Sequence, residues 1–233
     1  MAQFIPFKAY RPQADKAAQI ASRPYDVVNR QEAREEAKGN PHSFFRIVKP
    51  EIDFPDERDP YAPEIYQRGK ANFEQLIREG LFLQEDQEQY FVYQLQMGDH
   101  SQSGLVGCCA IDDYFDNTIK KHERTRPDKE EDRKNHIRVS KMQYEPVFFA
   151  YPRVKDIDRL VEEIKQAKPL FEFTADDGIR HTVWPVGDDE RIHAIAELFE
   201  SRVPNIYVAD GHHRTAAGAL VGRELRKEDE RAF

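Results

Sequence analysis

An apolar run that stops at a glycine and restarts as a small-residue helix constrains this chain more than any other stretch: IYVADGHHRTAAGAL, residues 206–220. Ile206, Tyr207, Val208 and Ala209 suit a buried strand, and Gly211 permits a tight turn. Ala216, Ala217 and Ala219 then favour helix, so a helix begins near His212 to Thr215. A helix start presents N–H groups without helical partners and a partial positive charge, and Arg214 adds a forked cation. Such a joint can seat an anion such as a phosphate. The plainer reading makes Asp210 only the cap of that helix. Asp, two His and Arg in succession are an unusual set for a purely structural turn.

The 233 residues allow one large or two small domains with a substantial core. Hydrophobic residues make up 39% and charged residues 33%, yet 15 Phe, 10 Tyr and regular apolar spacing argue against disorder. With 35 basic and 43 acidic side chains the net charge is −8, and no basic tract interleaves with aromatics, so nucleic acid is not an expected partner. No apolar segment is long enough to span a bilayer, and MAQFIPFKAYRPQ lacks the apolar core of a secretory signal. A cytoplasmic protein with no membrane partner is expected. Cys108 and Cys109 would face opposite sides of a strand, and two buried reduced thiols are expected. The last helix runs on through 223–231 without a further strand or cap, which suggests the amino-terminal part of a longer protein. The pattern fixes no oligomeric state.

Along the chain, a strand over 3–7 precedes a Pro-punctuated loop, a helix over 30–38, a strand over 43–48 and a Pro-rich connection over 50–63. An amphipathic helix covers 61–80. Strands over 90–97 and 104–111 read as a β-hairpin around the turn-rich 98–103. A strand over 147–151, a helix over 156–168 with Asp156 at its start, a strand over 179–186 and a helix over 188–202 complete the list. Trp184 and the pairs Phe44-Phe45 and Phe148-Phe149 are expected in the core. Strict βαβ alternation is missing, so the expected fold is α+β, a mixed sheet with flanking helices rather than a Rossmann domain. It forms one domain over 1–233, within which a subdomain over 1–85 packed on a core over 86–233 is the suggested division.

Two more polar clusters carry chemistry. KKHERTRPDKEEDRKNHIR, residues 120–138, follows the turn 112–117; Pro127 starts a charged helix that sets Lys129 and Arg133 on one face. That face either grips phosphates or is simply solvated. His122-Glu123 lacks the second His of a zinc-protease motif, since Arg126 stands there. Asp210, His212 and His213 could ligate a divalent ion, but no characteristic third and fourth ligand follows, so no protein metal site is assigned. Residues 22–29, SRPYDVVN, form a loop in which Asp26 or Asn29 either caps the next helix or serves a ligand. The chain contains no GxxxxGK[ST], GxGxxG or GxSxG sequence.

Three motifs, RPYDVVN (23–29), KHERTRPDKEEDR (121–133) and ADGHHRTAAG (209–218), together resemble the DUF1015 family. That family is similar to the ParB/sulfiredoxin-like superfamily, whose members bind nucleotide at a strand-turn-helix and include kinases of free serine. The resemblance implies a nucleotide-binding core with elaborations. Where sulfiredoxins carry a reactive Cys, this chain has His212; where ParB proteins read Gly-Glu-Arg-Arg, it reads Gly211-His212-His213-Arg214. The free serine kinases carry Asp-Gly-His-His-Arg, which Asp210 to Arg214 match, and a His-Glu pair that His122-Glu123 resembles. The separation between the two motifs is longer here than in those compact kinases.

What the resemblance implies is phosphoryl transfer from ATP or ADP to the hydroxyl of serine or threonine, with Mg2+ carried by the nucleotide phosphates. Glu123 would be general base, with Asp210, His212 and His213 as further catalytic groups. Gly211, His213, Arg214 and Thr215 would hold phosphates with help from Lys129 and Arg133. Arg23, Asp26, His122 and Thr125 would meet the amino acid. Two other readings stay open, a nucleotide-binding regulatory module without turnover and a hydrolase of nucleotides or phosphoesters.

Overall fold

The computed structural model of the chain describes residues 1–227. Its elements begin with β1 (Phe4–Ile5), β2 (Tyr10–Pro12), α1 (Ala17–Ile20), α2 (Arg30–Glu36), α3 (Phe45–Val48), a 3-10 turn (Pro50–Asp53), α4 (Pro63–Arg78) and β3 (Phe82–Gln84). Next come β4 (Tyr90–Met97), β5 (His100–Val106), β6 (Cys108–Cys109), α5 (Asp112–Phe115), β7 (Ile119–Lys120), α6 (Pro127–Ser140) and β8 (Phe148–Ala150). The last are α7 (Lys155–Ile164), β9 (Phe171–Thr174), β10 (Arg180–Val186), α8 (Asp189–Arg202), β11 (Ile206–Asp210) and α9 (His212–Leu225). Together they make a mixed α+β fold with several sheets and flanking helices. The expected helix over 223–231 reaches Leu225 within α9, and its part beyond 227 lies outside the described residues.

Local signals set many of these boundaries. Asn29 accepts the N–H groups of Gln31 and Glu32, while Glu32 returns a bond to the Asn29 N–H, a capping box that starts α2. Asn29, not Asp26, is therefore the cap. Proline opens both α4 and α6, where its missing N–H has no helical partner to lose. Asp188 caps α8 through the N–H of Arg191. Asp156 lies in the first turn of α7, whose cap position is Val154.

The antiparallel sheet runs β5-β4-β10-β9. Its β4-β5 hairpin turns at Gly98, φ +56°, so β5 starts at His100, earlier than expected. The strand expected over 104–111 breaks at Gly107, where a Cβ would fall 2.6 Å from the Phe4 ring and 2.8 Å from Tyr90. The chain then crosses to pair Cys108 and Cys109 with β1. Alternation turns Cys108 to solvent and leaves Cys109 half-buried, so the expected pair of buried thiols is corrected; both are free. The expected turn over 112–117 contains the short helix α5. Trp184 is buried as expected, and β9, with the alternating sequence FEFT, is a strand beyond those expected.

The strand expected over 43–48 is instead the helix α3. A short apolar run does not distinguish helix from strand, and Phe45, Ile47 and Val48 all insert into one core with Phe73 and Phe82. That core, built mostly from residues 20–82, is one of two; the larger gathers β4, β10, β11, α7 and α8 together with Ala2 and Phe4. Phe148 is corrected as well: it is 47% exposed, while Phe149 packs against the larger core.

The sheet that positions the candidate site is β7-β11-β8. β11 pairs parallel with β7, Ile206 to Ile119 and Tyr207 to Lys120, and antiparallel with β8, with a register shift between Val208 and Asp210. No described helix is long and apolar enough to cross a membrane.

Candidate functional site

Parallel pairing puts the ends of β7 and β11 side by side, so the segments leaving them share one edge of the sheet, the position where open α/β sheets bind ligands. Residues 121–126 leave β7 there, and Asp210 and Gly211 leave β11. β8 runs the other way and is entered from that same edge through Glu145, Pro146 and Val147. α6 and α9 pack against each other.

Gly211 adopts φ +90°, and a Cβ there would lie 3.1 Å from Arg214 Nε and 3.2 Å from Val147. The dihedral strains any side chain here, and the space is tight for one. No side chain caps α9. The reading of Asp210 as helix cap is thereby corrected: its Oδ2 accepts from Arg214 Nη2 at 2.6 Å. Thr215 Oγ1 donates back to the Gly211 carbonyl at 2.9 Å, which occupies it within the first turn.

The fold brings His122 and Glu123 to this turn. His212 Nδ1 lies 3.7 Å from Glu123 Oε2, and the rings of His122 and His212 meet edge to face with centroids 4.4 Å apart. Glu123 is 65% exposed along its side chain and open to a solute. Burial, then His122, holds His212 below its usual pKa against the pull of Glu123 and Asp210. His212 Nε2, His213 Nδ1 and Arg214 Nε are buried without hydrogen-bond partners. Three such atoms on consecutive residues are costly unless something binds them.

Arg214 also donates from Nη1 to the Pro146 carbonyl at 2.8 Å, and its Nη2 lies 3.9 Å from Asp26. The loop of Tyr25 and Asp26 thus reaches the turn. Arg23 does not: it pairs with Glu36 on the surface. Thr125 donates to Glu130 at 2.7 Å, and Lys129 is half-buried in the first turn of α6.

Arg133 is buried behind the site. Its Nε and Nη2 donate to Asp132 at 3.1 and 2.8 Å, Nη1 meets the Val48 carbonyl at 3.4 Å, and the guanidinium lies 3.9 Å over the Tyr25 ring. Sequence reasoning missed Glu145, which has no motif around it to mark it. Burial pushes its carboxyl above the usual range, while the Tyr25 N–H, Arg133 and Arg214 pull it back. Among the described residues no group of three or more His, Cys, Asp or Glu side chains is placed to hold a metal ion.

Across known proteins, a family model described as "Protein of unknown function (DUF1015)" matches residues 4–232. No curated protein and no solved structure matches the chain.

Proposed function

The chain belongs to the DUF1015 family, and on that premise we propose that it is a nucleotide-dependent phosphotransferase acting on the hydroxyl of a free amino acid, serine or threonine. Its core is read as a ParB/sulfiredoxin-like nucleotide-binding core. The single observation that supports this most is that the open Glu123 carboxylate of one motif lies 3.7 Å from His212 Nδ1 of another, in a turn where His212 Nε2, His213 Nδ1 and Arg214 Nε are buried without partners.

Phosphoryl transfer asks a protein mainly for positioning and charge stabilisation. The uncapped start of α9, with Gly211, His213 and Arg214, receives the phosphates of ATP or ADP, and Mg2+ arrives with them. Thr215 fixes the turn. Glu123 accepts the proton of the substrate hydroxyl as its oxygen bonds to the terminal phosphorus and the bond from that phosphorus to the bridging oxygen breaks. The nucleotide leaves one phosphate shorter. His212 or His213 donates to the transferring oxygens, Asp210 contacts magnesium or substrate, and Asp26 faces the substrate ammonium, with His122 and Thr125 at the rim. Lys129 assists from α6. Arg133 is left out because its nitrogens are already engaged, and Arg23 would have to leave Glu36 to reach a substrate carboxylate.

The test incubates the protein with ATP or ADP, Mg2+ and a panel of free amino acids, and detects phosphorylated product by mass. Glu123→Gln should lower kcat by about 10²- to 10⁴-fold while nucleotide affinity stays within about twofold. Nucleotide binding without any phosphorylated amino acid would make the protein a regulatory module, and release of phosphate to water alone would make it a hydrolase.

A further inference from the structure

Glu145 stands just before Pro146 and β8, is largely buried, and has no part in the chemistry above. Its carboxylate joins three segments that are remote in sequence. Oε1 accepts the backbone N–H of Tyr25 at 3.0 Å, and Oε2 lies 3.7 Å from Arg133 Nη1. Arg133 in turn covers the Tyr25 ring. A cavity of about 30 Å³ is lined by Glu145, Arg133, Tyr144 and Arg214, and two of these residues, Tyr144 and Arg214, carry a buried polar atom without a partner. The neighbouring Pro146 carbonyl holds Arg214. One stretch of backbone, 145–146, therefore fixes the tyrosine of the loop and the arginine of the turn together.

The consequence falls on Asp26. Residues 25–28 form turns and bends and belong to no strand or helix, so no ladder of backbone bonds fixes them. A carboxylate accepting a backbone N–H is among the stronger hydrogen bonds available for holding such a loop. Fixing Tyr25 leaves the next side chain, Asp26, 3.9 Å from Arg214 and partly open to solvent.

We propose that Glu145 is a positioning residue: by holding the Tyr25 N–H it sets Asp26 beside Arg214 and presents that carboxylate to the ammonium group of the amino-acid substrate. This rests on the reading above that Asp26 meets the ammonium. The role of Glu145 itself is independent of which nucleotide is used.

The test compares Glu145→Ala, Glu145→Gln and Asp26→Asn in the full chain. Amide hydrogen exchange at Tyr25 should quicken at least about tenfold in Glu145→Ala and stay within about threefold of the wild type in Glu145→Gln, which keeps an acceptor oxygen. With the amino acid that the wild type phosphorylates, Glu145→Ala should raise its KM at least about tenfold with kcat within about threefold, Glu145→Gln should restore KM, and Asp26→Asn should match Glu145→Ala. A purely structural loss would instead lower kcat and leave the KM of the folded fraction unchanged. An unaltered Tyr25 exchange rate in Glu145→Ala, or an unaltered KM in Asp26→Asn, would overturn the proposal. If Glu145→Ala does not fold, a Glu145→Gln protein with fast Tyr25 exchange overturns it equally. If the wild type phosphorylates no amino acid, the functional reading fails by itself, and the Tyr25 exchange rate still decides whether Glu145 holds the loop.

Discussion

Arg133 and Arg214 sit on α6 and α9, two helices that pack against each other, and they are 8% and 7% exposed. They differ in what their nitrogens meet. Every nitrogen of Arg133 has a neighbour: Asp132 for two of them, the Val48 carbonyl and Glu145 for the third. Arg214 is held by Asp210 and the Pro146 carbonyl through its two terminal nitrogens, while Nε has no partner. Burial by itself does not mark an arginine as a ligand for phosphate. A saturated guanidinium anchors structure, whereas one held at two corners with a third unsatisfied is poised for an additional acceptor.

The largest effect that tests this contrast is on stability. Arg133→Ala leaves Asp132 and Glu145 buried without their cation and should cost about 3–5 kcal/mol, read as a lower denaturant midpoint. Arg214→Ala should cost less, because its partner Asp210 is 65% exposed and water can take over. Its effect should appear in binding, with affinity for ADP falling about tenfold to hundredfold by titration calorimetry. Equal destabilisation by the two substitutions, with ADP affinity unchanged in Arg214→Ala, would erase the distinction.

The smallest effect concerns acid. His136, one turn beyond Arg133 on α6, is buried edge-on against Tyr66, and burial foremost, then Arg133 and Lys49, holds its pKa well below the usual 6.5. The unfolded chain protonates this ring near 6.5 while the folded chain resists, so below that pH the unfolded state binds more protons. The stabilisation is complete above pH 6.5 and declines as pH falls. Melting temperatures between pH 7 and pH 5 should drop less in His136→Phe than in the wild type.

Much of the fold was legible because its causes are local. Asn29, Pro127, Asp188 and the glycine at 211 each act within a turn or two of their own position. Elements without such signals depend on distant partners. α3 is helical because its apolar side chains all fill one core, and β7, two residues long, exists only through its partner β11. Only a glycine fits at 107 because Phe4, far away in sequence, and Tyr90 pack there. Phe148 looked like core, yet lies on the open face of its strand.

The candidate site divides in the same way. The sequence by itself determined the chemistry available at the turn: a glycine that permits a tight turn, a helix start, two histidines and an arginine, all in one short run. It also supplied His122-Glu123 and the Tyr25-Asp26 loop as separate pieces. Only the tertiary structure decided that Glu123 meets His212, that Asp26 lies 3.9 Å from Arg214 while Glu145 accepts the neighbouring Tyr25 N–H, and that Arg133 turns away into a buried ion pair. The physical reason is that parallel pairing of β7 with β11 and the clasp at Glu145 are made by hydrogen bonds between segments with no local reason to meet. The register of β11 on β7 is set by the face that buries Ile119, Ile206 and Val208 in the larger core.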